Sequence, residues 1–115
     1  MRKLGINIDH IATIRNARAE NHPNILKAAK FVMKCGASLI TIHLREDRRH
    51  INDKDLKLLS NKKSIPLNLE IAASNKMVNI ALKHKPKNVC IVPEKRKEIT
   101  TEGGLNLKKN VSKLK

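Results

Sequence analysis

Four short apolar runs, each ending abruptly in polar or charged residues, constrain the fold more than any other feature of this sequence. They are Leu4 to Ile8, Leu39 to Leu44, Leu67 to Ala72 and Val89 to Val92. Runs of this length, rich in Ile, Leu and Val, read as strands. The segments between them carry a helical period instead. In Asn24 to Cys35, the residues Ile25, Ala28, Ala29 and Val32 fall at i, i+3, i+4 and i+7, and Gly36 follows as a stop signal. Asp53 to Leu59 and Asn75 to His84 give two further helices, and Pro86 closes the last of these regions. Asn24 (or His22 before Pro23), Asn52 and Ser74 are the expected N-caps. Strands alternating with helices imply βαβ units and a parallel sheet.

The chain has 115 residues, enough for one modest domain. It has no Trp or Tyr and one Phe, so its core must be aliphatic. Cys35 and Cys90 match no metal or redox spacing, and their apolar neighbours predict buried free thiols in a reducing cytoplasm. No apolar stretch has the length of a membrane span, and no signal-like h-region precedes the first strand. The formal net charge of +15 favours anionic partners: nucleic acid, acidic membrane or phosphorylated metabolites. Lysines scattered over outer helix faces explain part of that charge, and residues 108–115 read as a cationic, frayed tail behind a unit spanning 1–107. The scarcity of aromatic side chains for base stacking argues against a nucleic-acid-binding module.

Parallel α/β folds place ligands at the C-terminal ends of their strands, and four polar clusters fall there. The first joins Asn7, Asp9 and His10 to Thr13, Arg15, Asn16 and Arg18. Strand alternation would set Asn7 and Asp9 on one face. Arg15 and Arg18 either share a helical face or lie in a loop that grips phosphate; ordinary surface arginines after a capped turn are the plain alternative. The second, His43-Leu-Arg45-Glu46-Asp47-Arg48-Arg49-His50, concentrates arginines and histidines as an anion site would. Its plain reading is a solvated loop in which Glu46 and Asp47 neutralise the arginines. Metal ligation by His43, Asp47 and His50 matches no zinc spacing. The third is Glu70, a carboxylate among apolar residues, which is either a general acid/base raised by desolvation or the partner of a nearby arginine. The fourth runs from Val92-Pro93-Glu94-Lys95-Arg96 to Thr100-Thr101-Glu102-Gly103-Gly104. Its hydroxyls and glycine amides suit phosphate, or simply a polar turn.

Taken together, GINIDHIATIRNAR, ITIHLREDRRHI, LNLEIA and VPEKRKEITTEGGL resemble the pyridoxine 5′-phosphate synthase family, in order and in spacing. The resemblance implies a parallel (βα)4 unit, half of a TIM (β/α)8 barrel, which as a whole needs roughly 200 to 250 residues. It implies an oligomeric enzyme of vitamin B6 biosynthesis without metal or redox cofactor. Such an enzyme condenses 1-deoxy-D-xylulose 5-phosphate with 3-amino-2-oxopropyl phosphate to pyridoxine 5′-phosphate, phosphate and water. It assigns acid/base work to His43 and Glu70, the amino-ketone phosphate to Asn7 and Arg18, and the deoxyxylulose phosphate to Asp9, His10, Arg45, His50 and Thr100. The family usually has Gly where Ala19 stands, which touches the reach of Arg18. The family's later acid/base residues and phosphate loops fall beyond the segment matched here. The expected partners are therefore phosphorylated small molecules and either a complementary half or further copies of the chain. A non-catalytic, vestigial fragment that retains phosphate binding is the rival expectation.

Overall fold

The computed structural model describes residues 2–95, 97–101, 103–108 and 111–114. Strands β1 (Gly5–Asn7), β2 (Leu39–His43), β3 (Leu67–Ala72) and β4 (Asn88–Val92) form one sheet in the order β1-β2-β3-β4, and every pairing is parallel. Helices α1 (Asp9–Ala17) and α2 (Ile25–Lys34) connect β1 to β2, α3 (Asp53–Ser60) connects β2 to β3, and α4 (Asn75–His84) connects β3 to β4. A single turn, α5 (Val111–Leu114), falls within the segment read as a basic tail, of which residues 109, 110 and 115 lie outside the described residues. The architecture is the expected parallel (βα)4 half of a (β/α)8 barrel.

Local chemistry sets the helix ends. Asn24 accepts the Lys27 backbone N–H at 2.9 Å and starts α2, which stops where Gly36 turns to φ +100°, a conformation open to glycine. At α3, the Asn52 side chain accepts from the Asp55 N–H, and the Asp55 carboxylate accepts from the Asn52 N–H, a closed capping box. Ser74 precedes α4 as expected, but its hydroxyl caps nothing. It donates to Glu46 Oε1 at 2.9 Å instead, tying the start of α4 to the loop after β2.

The two faces of the sheet differ in kind. Toward the helices, Ile40, Ile42, Leu44, Leu67, Leu69 and Ile71 bury against Ala12, Ile25, Ala29, Leu56, Leu59, Met77 and Ala81. Each fully buried Leu or Ile contributes roughly 1.5–3 kcal/mol, so this aliphatic layer supplies most of the folding drive. The core contains no aromatic residue, and Phe31 lies exposed. On the concave face, register aligns Asn7 with Thr41, Thr41 with Asn68 and Asn68 with Asn88, a polar row across all four strands. Asn68 donates to Thr41 Oγ1 within it at 3.3 Å.

Two expectations require correction. Asp9 does not continue the first strand beside Asn7; β1 ends at Asn7 and Asp9 opens α1, a helix that the sequence reading left open. Cys35 and Cys90 are exposed rather than buried. Cys35 sits past the last turn of α2, and Cys90 lies on β4, opposite Glu70 in register, where the edge strand is open to solvent.

Candidate active site

The strand ends enclose a cleft of about 530 Å³, lined by Asn7, Asp9, His10, His43, Arg45, His50, Glu70, Val92, Ile99, Thr100, Thr101 and Gly103. Of the residues to which the resemblance assigns roles, all but Arg18 line it. That arginine is exposed and pairs with Glu20 at 3.0 Å. Ala19, beside it, adopts φ +51°, the left-handed conformation for which glycine is the easy occupant, so the turn keeps a glycine-like course at a steric cost of roughly 1–2 kcal/mol.

Asp9 is the joint of the first cluster. Its Oδ2 accepts from the Asn7 side-chain amide at 2.9 Å, its backbone N–H donates to Asn7 Oδ1 at 2.8 Å, and its Oδ1 accepts from the backbone N–H of His43 at 2.8 Å. The carboxylate therefore fixes the end of β2 against the start of α1, where the helix dipole favours its charge. His10, one residue on, is exposed at the rim.

Within the second cluster Asp47 pairs with arginines, whereas Glu46 accepts from Ser74 instead. Arg49 bonds to Asp47 and holds that carboxyl down at about 2, and Arg48 pairs with Asp53 at 2.9 Å. Arg45 differs: it is 2% exposed. Its Nη2 donates to the Lys95 carbonyl at 3.0 Å, while its Nε lies 3.4 Å from Asp47 Oδ1 without a hydrogen bond. A buried guanidinium with incomplete pairing is suited to an anion.

His50 is buried, and its Nδ1 accepts the Ile51 backbone N–H at 2.9 Å. An accepting Nδ1 must be unprotonated, so the ring presents Nε2–H as a donor. Burial lowers its pKa, opposed by the charge of Asp9, which agrees with a neutral ring. Behind it, the His50 carbonyl accepts from Asn16 Nδ2 at 2.9 Å and from Arg15 Nη2 at 3.4 Å. Arg15 in turn grips Asp55 at 2.6 and 3.0 Å. The capping-box carboxylate of α3 thus anchors the arginine that holds His50.

His43 and Glu70 are register partners on β2 and β3, and the rings of His43 and His50 have centroids 6.2 Å apart. Desolvation raises the Glu70 carboxyl; the charge of His43 opposes that shift and Asp9 adds to it. No ion pair holds Glu70 among the described residues. Three residues that the sequence placed in the polar clusters take roles it did not assign. Arg15 and Asn16 form the clamp behind His50, and Glu94 places Oε1 2.9 Å from His43 Nε2. Glu94 stands just after β4, where the strand-end rule that flagged the other residues also points. Of the fourth cluster, Arg96 and Glu102 lie outside the described residues, while Thr100, Thr101 and Gly103 border the cleft.

Residues 4–115 match the family model described as "Pyridoxal phosphate biosynthesis protein PdxJ". The chain belongs to the PdxJ family. Among similar curated PdxJ-type proteins is the pyridoxine 5′-phosphate synthase of Pelagibacter ubique, 57% identical over 100% of this chain and 48% of the relative. That of Wolbachia pipientis from Culex pipiens is 58% identical over 97% of this chain and 48% of its own length. The Rhodospirillum rubrum enzyme is 59% identical over 91% and 42% respectively. The chain therefore spans about half the length of the curated PdxJ relatives it matches. No helix among the described residues is long and apolar enough to cross a membrane.

Proposed function

We propose that this cleft serves pyridoxine 5′-phosphate synthesis, joining 1-deoxy-D-xylulose 5-phosphate to 3-amino-2-oxopropyl phosphate with loss of phosphate and water, in the cytoplasm. The observation that carries the reading is convergence. Residues from all four strand ends, named by family resemblance for this chemistry, border one cavity. The names of the relatives support pyridoxine 5′-phosphate synthesis.

Ring closure passes through imine formation, phosphate loss and dehydrations, and each step moves protons. His43 and Glu70 face those steps. Desolvation lets Glu70 keep a proton to higher pH than an ordinary carboxyl, so it can donate as well as accept. Arg45, His50 through Nε2–H, and the Thr100 hydroxyl bind phosphate and sugar oxygens. Asp9 and His10 line the same side, and Asn7 with Arg18 would serve the amino-ketone phosphate. Arg18 must leave Glu20 and swing inward to do so. The cleft is bounded by four strands, so the second substrate needs the walls of a complementary half. The rest of a longer polypeptide, a separate chain or another copy of this one can supply them.

The test is product formation from the two phosphorylated substrates, with and without such a half. The 115-residue chain alone should give no measurable product. The complemented enzyme should turn over and lose roughly 10²–10⁴-fold in rate with His43→Ala or Glu70→Gln. Calorimetry on the chain alone should detect weak, salt-sensitive phosphate binding that Arg45→Ala weakens further. Turnover indifferent to both His43 and Glu70 would refute the assignment. Phosphate binding without turnover in a well-folded complemented assembly would mark a vestigial binding fragment.

A further inference from the structure

Nothing so far assigns a role to Glu94. Its side chain is 9% exposed and that of His43 is 4% exposed. Glu94 Oε1 lies 2.9 Å from His43 Nε2, and Oε2 accepts the Glu46 backbone N–H at 3.0 Å. A few atoms away, Arg45 Nη2 donates to the Lys95 carbonyl at 3.0 Å. The loop after β4 is thereby laced to the loop after β2, and both carboxylate oxygens of Glu94 are engaged in fixed directions. An ionised carboxylate only accepts, so the imidazole must donate through Nε2. His43 Nδ1 has no protein partner among the described residues.

We infer that Glu94 is a positioning residue for the proposed reaction: it holds the His43 proton on Nε2 and so makes Nδ1 the nitrogen that takes and returns protons in the cleft. A carboxylate that fixes the tautomer and orientation of a neighbouring imidazole is a general device of acid/base sites. Here it also separates two neighbouring histidines by role. His50, with Nδ1 occupied by the Ile51 N–H, offers a donor. His43, with Nε2 occupied by Glu94, offers a lone pair. The other ionisable groups around the His43 ring are Glu70 on the adjacent strand, Asp9 at the start of α1, and Arg45.

The inference rests on the functional reading above, but its first test does not need activity. Long-range proton–nitrogen correlation spectra of the 115-residue chain with ¹⁵N-labelled histidine, at pH 8, report the tautomer of each ring directly. His43 should show a protonated Nε2 and a bare Nδ1. Glu94→Ala should convert it to a mixture of tautomers while the His50 pattern stays fixed as an internal control. Glu94→Gln should fall between, because its amide oxygen can accept from one of the two donors but not from both. In the complemented enzyme, Glu94→Ala should lower kcat by about 10–100-fold with KM near the parent value. A wild-type His43 protonated on Nδ1 would overturn the inference whatever any variant does. So would a Glu94→Ala protein whose His43 pattern is unchanged. If the tautomer is as stated but His43→Ala costs no activity, the functional reading fails and the structural pairing alone survives.

Discussion

Strands β3 and β4 run side by side, with Leu69 opposite Val89 and Ile71 opposite Ile91, and both place aliphatic residues toward the helix side. Their fates differ. Leu69 and Ile71 are 0% and 1% exposed, whereas Val89 and Ile91 are 47% and 37% exposed. The cause lies outside either strand. Helix α4 packs on β3, while the helix side of β4 is left open beside Val78 and Leu82, which are also exposed. Alternation in a sequence states which face is apolar; only the neighbours decide whether that face is buried.

The largest expected effect is on stability. Leu69→Ala should cost roughly 2–5 kcal/mol, the range for a cavity in a packed core. Val89→Ala should cost less than about 1 kcal/mol, as exposed positions do. Urea unfolding of both variants measures the difference directly. Equal losses would mean that β4 is covered in solution, and the contrast between the strands would collapse.

A smaller effect separates the same two strands on the concave face, where Glu70 stands opposite Cys90. Burial raises the Glu70 carboxyl above its ordinary 4.5, so the folded chain holds that proton more tightly than the unfolded chain does. The stability this contributes is complete below about pH 4.5 and is lost as pH rises through the folded value. Once ionised, the group is a charge kept partly from water. Glu70→Gln should therefore be modestly more stable than the parent at pH 7, with the advantage shrinking toward pH 4. Thermal melts across that range would show a flat difference if desolvation were unimportant. Cys90, by contrast, should be alkylated in the native chain within about tenfold of a free thiol's rate, since exposure governs its access. Strong protection, read by mass spectrometry, would place β4 inside an assembly.

Much of this was legible in the sequence, for identifiable reasons. The bounds of β3 and α4 follow from local apolar runs, the start of α3 from its capping box and the termination of α2 from Gly36. Helix α1 was not called because Asp9, His10, Thr13 and Arg15 read as a ligand cluster and masked the short apolar face around Ala12. The cleft was legible through the rule that parallel strands gather ligands at their C-terminal ends, sharpened by family resemblance. Glu94 was not legible as a partner of His43, because 51 residues separate them and no local pattern joins two loops that meet only after the sheet has formed. Cys35 and Cys90 misled because apolar neighbours in sequence do not guarantee cover in space, as the exposure of Val89 also shows.

The row formed by Asn7, Thr41, Asn68 and Asn88 has a consequence for how βα units can be recombined. Amides and a hydroxyl stand on this concave face where a purely aliphatic barrel interior would carry methyl groups. Asn7 is satisfied by Asp9 and Asn68 donates to Thr41, but any unit that closes over the row must match the donors and acceptors these bonds leave open, or strand them at roughly 1–3 kcal/mol for each unpaired group. Grafts from barrels with greasy interiors are thereby penalised and grafts with a complementary polar layer are favoured. The row works as a compatibility code, written across four strands and read only when a chimeric barrel is assembled.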